Sequence, residues 1–309
     1  MSYLASLMLR LSGGAARLPE PLRARHAEYV TGAQQDDGGF AGRRGRSDPY
    51  YTSFALRTLV VLGRLEPDLA GKAAAFLQAR LDEKLAPADF LALVGAAALV
   101  EGVTGEDLFA RAGNDRRAAV IDFAGSLRRD DGAYAKTERS GPSSTYQTFL
   151  VAATKELVGA PQDDPDTIVA MLRSRRRDDG GFVELPVVQQ SGTNPTAAAM
   201  GLLGILERAD EPAGRGAAAF LAGMQTPEGG FRANTRIPAA DLLSTFTALA
   251  TLADLGALES VDAPGAAAYV TSLEVPTGGF RGGPWDDAPD AEYTFYGIGS
   301  LAVLAGAEA

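Results

Sequence analysis

Asp178-Asp179-Gly180-Gly181-Phe182, Pro227-Glu228-Gly229-Gly230-Phe231 and Pro276-Thr277-Gly278-Gly279-Phe280 are three copies of one phrase: an acid or turn former, glycines, then an aromatic. Two more copies lie upstream, Asp36-Asp37-Gly38-Gly39-Phe40 and Asp130-Asp131-Gly132-Ala133-Tyr134. The aromatic positions advance by 94, 48, 49 and 49 residues. The first step therefore holds two periods, with the blurred copy near the proline turn Leu85-Ala86-Pro87. Self-similarity at such a period marks a repeat architecture in which each unit buries its apolar face against its neighbours.

Each phrase sits between two helical patterns. Before it come segments such as Ala217-Ala218-Ala219-Phe220-Leu221, whose apolar residues recur at helical spacing. After it, a polar loop leads into a more continuously apolar helix. These begin near Tyr50, Asp89, Ser144, Pro195, Ala240 and Ala291. A helix apolar on most faces is buried on most faces. Six repeats of two helices predict an all-α chain of about twelve helices without strands. The sixth inner helix stays apolar almost to Leu304, where an open solenoid would need a polar cap. Closure into an α/α toroid of six helical hairpins, with an inner barrel around a central apolar cavity, is the expected fold. Residues 1–309 are read as one such domain. The Asp-Asp pairs of the phrase read as turn and capping acids.

The 309 residues carry 29 Lys and Arg against 39 Asp and Glu, a net charge of −10, which gives no drive toward nucleic acid or anionic lipid. Cysteine is absent and histidine occurs once, which excludes thiol nucleophiles, disulfides and multi-histidine zinc sites. Met1 to Arg10 lacks a cationic lead and is too short to span a bilayer, so it reads as a packed N-terminal helix. A cytoplasmic protein with no membrane span is the expectation. No GxxxxGK[ST], GxSxG or strand-linked GxGxxG motif is present.

The repeat pattern resembles the protein prenyltransferase β subunits and the squalene and terpene cyclases, from Arg25-His26-Ala27-Glu28-Tyr29-Val30 to Leu304. The fifth and sixth repeats are most similar to the β subunit of Rab-type geranylgeranyltransferase. They run from Gly229-Gly230-Phe231-Arg232 to Phe246, and from Gly278-Gly279-Phe280-Arg281-Gly282 to Ile298. The resemblance implies an isoprenoid diphosphate or another polyisoprenoid as ligand, a helical partner subunit, and prenyl transfer to a cysteine at a zinc ion. Carried onto this chain, the zinc Asp is Asp241, the Cys position is Leu243 and the His position is Tyr293. One carboxylate cannot build a tetrahedral site, so no zinc is expected. His26, in an outer helix, reads as a surface or helix-packing residue. Of the implied diphosphate grip, Arg236 and Arg232 are the nearest candidates, since a guanidinium suits phosphate oxygens.

Asp286, Asp287, Asp290 and Glu292 gather at the mouth of the last inner helix. Four acids there could bind a cation, leaving magnesium open, or hold a proton through like-charge repulsion. That supports an alternative, a cyclase in which Asp290 or its neighbours protonate the substrate. The aromatics Tyr50, Tyr51, Phe54, Tyr146, Phe149, Phe246, Tyr293, Phe295 and Tyr296 would then face cations. The Asp-x-Asp-Asp motif of such cyclases is absent. A third reading is a non-catalytic isoprenoid carrier or partner scaffold, with Ala197-Ala198-Ala199 widening the pocket. Together the readings give a candidate set: Asp241, Asp290 and Tyr293 for chemistry, and Arg232, Arg236, Tyr50, Tyr146, Phe246 and Tyr296 for the ligand.

Overall fold

A computed structural model describes residues 1–138 and 141–307. Among them fourteen α-helices follow in chain order. They are α1 (Tyr3–Ala15), α2 (Glu20–Gly32), α3 (Pro49–Val61), α4 (Pro67–Gln78), α5 (Pro87–Thr104), α6 (Leu108–Arg111) and α7 (Arg116–Leu127), then α8 (Thr145–Leu157), α9 (Pro165–Arg175), α10 (Thr193–Ile205), α11 (Glu211–Ala222), α12 (Leu242–Asp254), α13 (Ala263–Ser272) and α14 (Ala291–Ala307). The apolar helices are α3, α5, α8, α10, α12 and α14. Their starts fall within two residues of the expected ones, and the proline turn at Pro87 opens α5 where the blurred phrase lies.

Boundaries follow from capping. Asp48, Ser144 and Asp241 each precede an apolar helix and accept a backbone N–H three residues on, from Tyr51, Gln147 and Ser244. Asp290 does the same for Tyr293. Prolines at the first turns of α3, α4, α5 and α11 occupy sites where a missing N–H costs nothing.

The phrase has one geometry throughout. The second acid of the pairs is the turn former: Asp37, Asp131 and Asp179 accept the N–H two residues on and a hydroxyl from Ser47, Ser143 and Ser191. The aromatic that closes the phrase then bridges back to the end of its preceding helix, as Phe231 does to Gln225. Its buried N–H donates to a threonine of the following apolar helix: Phe40 to Thr52, Tyr134 to Thr148, Phe182 to Thr196, Phe231 to Thr245 and Phe280 to Thr294. Left unpaired, such an N–H would cost about 1–3 kcal/mol. The expectation of no strands needs correcting in one respect. Antiparallel ladders of two residues per strand join β1 (Phe40–Ala41) to β2 (Ser47–Asp48) and β3 (Phe231–Arg232) to β4 (Ala240–Asp241). They form because the aromatic and the helix cap must lie side by side for the threonine bond.

The chain comprises two compact units. The first holds Met1–Ser6 and Arg117–Tyr269, where α8, α10 and α12 pack in sequence. Ile168, Leu172, Phe182, Ala199 and Leu202 are in its core. The second holds Leu7–Arg116 and Val270–Ala309, where α14 packs on α3, and α3 and α4 on α5. By length and composition α5 alone among the described helices could cross a membrane, with mean hydropathy 1.4, but it packs as a core helix against α3 and α4.

Within the second unit the last repeat meets the first. In other repeats the residue at the foot of the phrase reaches the next flanking helix: Gln34 donates to the Leu69 carbonyl, Gln225 to that of Asp262. In the sixth repeat this residue is Glu274, and its partner is His26 of α2, Nε2 to Oε1 3.0 Å. Gly279 N–H donates to His26 Nδ1, which leaves the ring proton on Nε2. The ring stacks on Phe280 with centroids 4.6 Å apart. His26 is thus a fully buried packing histidine, its pKa held below the usual value by burial against the opposing pull of Glu274.

Candidate functional site

The second unit carries a hollow of about 510 Å³ lined by Gly42, Arg43, Arg44, Tyr51, Asp290, Glu292 and Tyr293. Repeat symmetry builds its walls. Tyr51 and Tyr293 stand at the same position, three residues after the caps Asp48 and Asp290. Each lies flat on a glycine two residues after its repeat's aromatic: a Cβ on Gly42 would come within 2.5 Å of the Tyr51 ring, and one on Gly282 within 2.5 Å of Tyr293. A second hollow of about 200 Å³ adjoins it, sharing Gly42, Arg43 and Asp290 and adding Tyr29, Phe40 and Pro289.

Arg43 links the loop of the first repeat to the mouth of α14. Its Nη1 and Nη2 hold Asp286 Oδ1 and Oδ2 at 2.5 Å each, and Nε holds Asp290 Oδ2 at 3.0 Å. Its guanidinium also lies 5.5 Å from the Tyr293 ring centre. Asp290 is 5% exposed, and burial raises its pKa although Arg43 and the Tyr293 N–H oppose the rise. Burial also works on Asp286, but the bonds from Arg43 and the Gly282 N–H win and hold it below the usual range. Asp287 is exposed. The four acids thus do not converge on a shared cation. No group of three or more His, Asp or Glu side chains among the described residues has metal-binding geometry.

Glu292 differs from its neighbours. Its Oε1 accepts from Tyr50 Oη at 2.7 Å and Tyr296 Oη at 3.2 Å. Burial is the main cause of its raised pKa; the two phenols oppose the rise and the charge of Asp290 adds to it. Around it Tyr50, Phe54, Phe295 and Tyr296 stack edge to face or tilted, with centroids 5.0 to 5.9 Å apart. Of the candidates from the sequence, Tyr50, Tyr293, Tyr296 and Asp290 lie together here. Glu292, at the mouth in the sequence reading, is the carboxyl facing the aromatics. Arg43 was missed, although an arginine three residues after Phe40, the aromatic that closes the first repeat's phrase, was available as a signal.

The other candidates lie in the first unit. Asp241 caps α12, and both its oxygens are engaged by Ser244, Oδ1 by the N–H at 2.7 Å and Oδ2 by the hydroxyl at 2.8 Å. Burial raises its pKa. With Leu243 beside it and its oxygens occupied, the residues present do not fit the family's zinc. Arg232 turns back toward the Gly223 carbonyl at the end of α11, as Arg281 does toward Ser272 at the end of α13. Such repetition marks a helix-capping role. Arg236 is exposed, Tyr146 is 40% exposed at the start of α8, and Phe246 is buried in α12.

With this geometry in hand, comparison with known proteins fixes the class. The family described as the prenyltransferase alpha-alpha toroid domain matches residues 21–87, 83–211 and 123–309, and the chain belongs to it. Among solved structures it is similar to Candida albicans protein geranylgeranyltransferase-I complexed with GGPP, at 14% identity and TM-score 0.70 over 91% of each chain. It is also similar to the type II terpene cyclase MstE from Scytonema in complex with geranylgeranyl dihydroxybenzoate, at 14% identity and TM-score 0.62, covering 98% of this chain and 99% of that one. A protein from Actinoplanes matches at 17% identity and TM-score 0.60, over 94% and 99%. No curated protein matches.

Proposed function

We propose that the protein is a terpene cyclase-like enzyme that acts on a polyisoprenoid by acid chemistry at the mouth of α14, in a cytoplasmic setting. The observation that carries this reading is Glu292, a carboxyl of raised proton affinity set among Tyr50, Phe54, Phe295 and Tyr296. Both phenols donate to Oε1, which leaves Oε2 to bear the proton. Delivered to a substrate double bond, that proton creates a carbocation that aromatic faces stabilise. When the last cation loses a proton the acid is restored, so the reaction is an isomerisation needing no metal and no thiol. The likeness to a cyclase holding a geranylgeranyl compound supports this substrate class.

The second reading is cysteine prenylation in the manner of a Rab-type β subunit, with Asp241 at the centre, Arg232 and Arg236 on a diphosphate, and a helical partner subunit. The likeness of repeats five and six favours it. The engagement of Asp241 by Ser244 and the missing ligands weigh against it. Incubation with farnesyl and geranylgeranyl diphosphate and geranylgeranyl-substituted phenols, with and without a cysteine peptide, tests both. The expected result is a cyclic product of unchanged mass, its rate lowered about 10²- to 10⁴-fold by Glu292→Gln. Peptide prenylation would restore the transferase reading, and binding without product would make the protein a carrier.

A further inference from the structure

We propose that Arg43 is a positioning residue that divides the two carboxyls at the mouth of α14, fixing Asp290 as the carboxylate and leaving Glu292 to carry the proton. This rests on the acid reading above. Asp290 meets only donors: Arg43 Nε at Oδ2 and the Tyr293 N–H at Oδ1. Neither can accept a bond, so a proton on Asp290 would have no partner where the existing ones sit. Arg43 is itself fixed, its fork closed on Asp286 in the two-pronged geometry that makes guanidinium–carboxylate pairs strong.

Glu292 has the opposite surroundings. Two phenols bind Oε1, and Oε2 has no hydrogen-bond partner among the described residues. The charged and titratable groups around it are Tyr50 and Tyr51 from α3, Arg43 and Arg44 from the preceding loop, and Asp290, Tyr293 and Tyr296 from α14 itself. Arg43 is committed to Asp286 and Asp290, and Arg44 is exposed at the rim. A fixed negative charge on Asp290 favours the proton on its neighbour, the arrangement by which paired carboxyls acquire separate acid and base roles. Arg43 and Asp290 also line both hollows, so the pair lies where the two meet.

Infrared difference spectroscopy on the full chain without substrate reads protonated carboxyls directly. In a titration upward from the usual carboxyl range, the last such band to persist should vanish in Glu292→Gln and remain in Asp290→Asn. Arg43→Met should add a second band, which Asp290→Asn in that background removes, and Arg43→Lys should restore the single band while raising the Asp290 midpoint by about one pH unit. A wild-type band insensitive to Glu292, or an unchanged band count in Arg43→Met, overturns the proposal. If Arg43→Met does not fold, the Asp290 midpoint in Arg43→Lys decides, and an unchanged midpoint overturns it. The expected bands without cyclised product would sink the cyclase reading and leave Arg43's role standing; product without the bands would do the reverse.

Discussion

The residues that matter most here are those whose role depends on what the fold places beside them. Glu292 gives the clearest stability consequence. Its folded pKa lies above the usual glutamate value near 4.5, chiefly through burial. Below that value folded and unfolded chains are both protonated and its contribution is fully present; as pH rises through the folded value a desolvated group must ionise and the contribution is lost. Glutamine can still accept from Tyr50 and Tyr296 but does not titrate. Glu292→Gln should therefore match wild type near pH 4 and melt higher at pH 7, by on the order of 1–2 °C given screening at a partly open site. Thermal scans across that window check it, and a variant that melts lower at pH 7 would contradict it. Stability gained by removing a functional group is the usual trade at active sites. The sequence exposed Asp290, Glu292 and the tyrosines because they are close neighbours on one helix or its repeat counterpart. It hid Arg43, whose partners Asp286 and Asp290 lie 243 and 247 residues away. It also hid the threonines Thr148, Thr196, Thr245 and Thr294, because a polar residue in an apolar helix carries no label for the N–H it will receive.

At the level of elements, glycine separates what the helices need from what the phrase needs. Gly71 lies inside α4 with open space where a Cβ would go. Gly71→Ala should stabilise by about 0.5–1 kcal/mol, because glycine costs that much in a helix interior. Gly229 is the reverse: its φ is +94°, and a Cβ would come 2.1 Å from the Gly265 carbonyl oxygen on α13. Gly229→Ala should lose about 2–5 kcal/mol from strain and overpacking together. Urea denaturation of both variants tests the contrast, and equal effects would refute the claim that Gly229 is required by its backbone conformation and its close approach to α13. Helix starts were legible because caps such as Asp48, Ser144 and Asp241 precede apolar runs at a fixed period. The ladders at Phe40–Ala41 and Phe231–Arg232 were not, because two residues are too few to leave an alternating pattern.

At the scale of the whole molecule the open question is cooperativity, since a chain read as one domain folds into two compact units. We propose that they melt as one. The second unit contains both Leu7–Arg116 and Val270–Ala309, so it cannot be released as a continuous piece of chain. All three unit boundaries, Ser6 to Leu7, Arg116 to Arg117 and Tyr269 to Val270, fall inside helices, α1, α7 and α13. A helix propagates order along its own hydrogen bonds, and breaking it in the middle creates new unpaired ends. The last repeat also stabilises the first through His26, Glu274 and the packing of α14 on α3. Loss of either segment would strand buried polar groups. The chain supplies its own reporter: Trp285 is its only tryptophan, exposed in the second unit beside Asp286. Denaturant unfolding followed by Trp285 fluorescence reads that unit, while far-UV circular dichroism reads all fourteen described helices. Coincident midpoints and a single set of slopes are expected, the standard sign of two-state behaviour. A fluorescence transition completed while much of the helix signal persists would establish two independently stable units and overturn the reading of residues 1–309 as one domain.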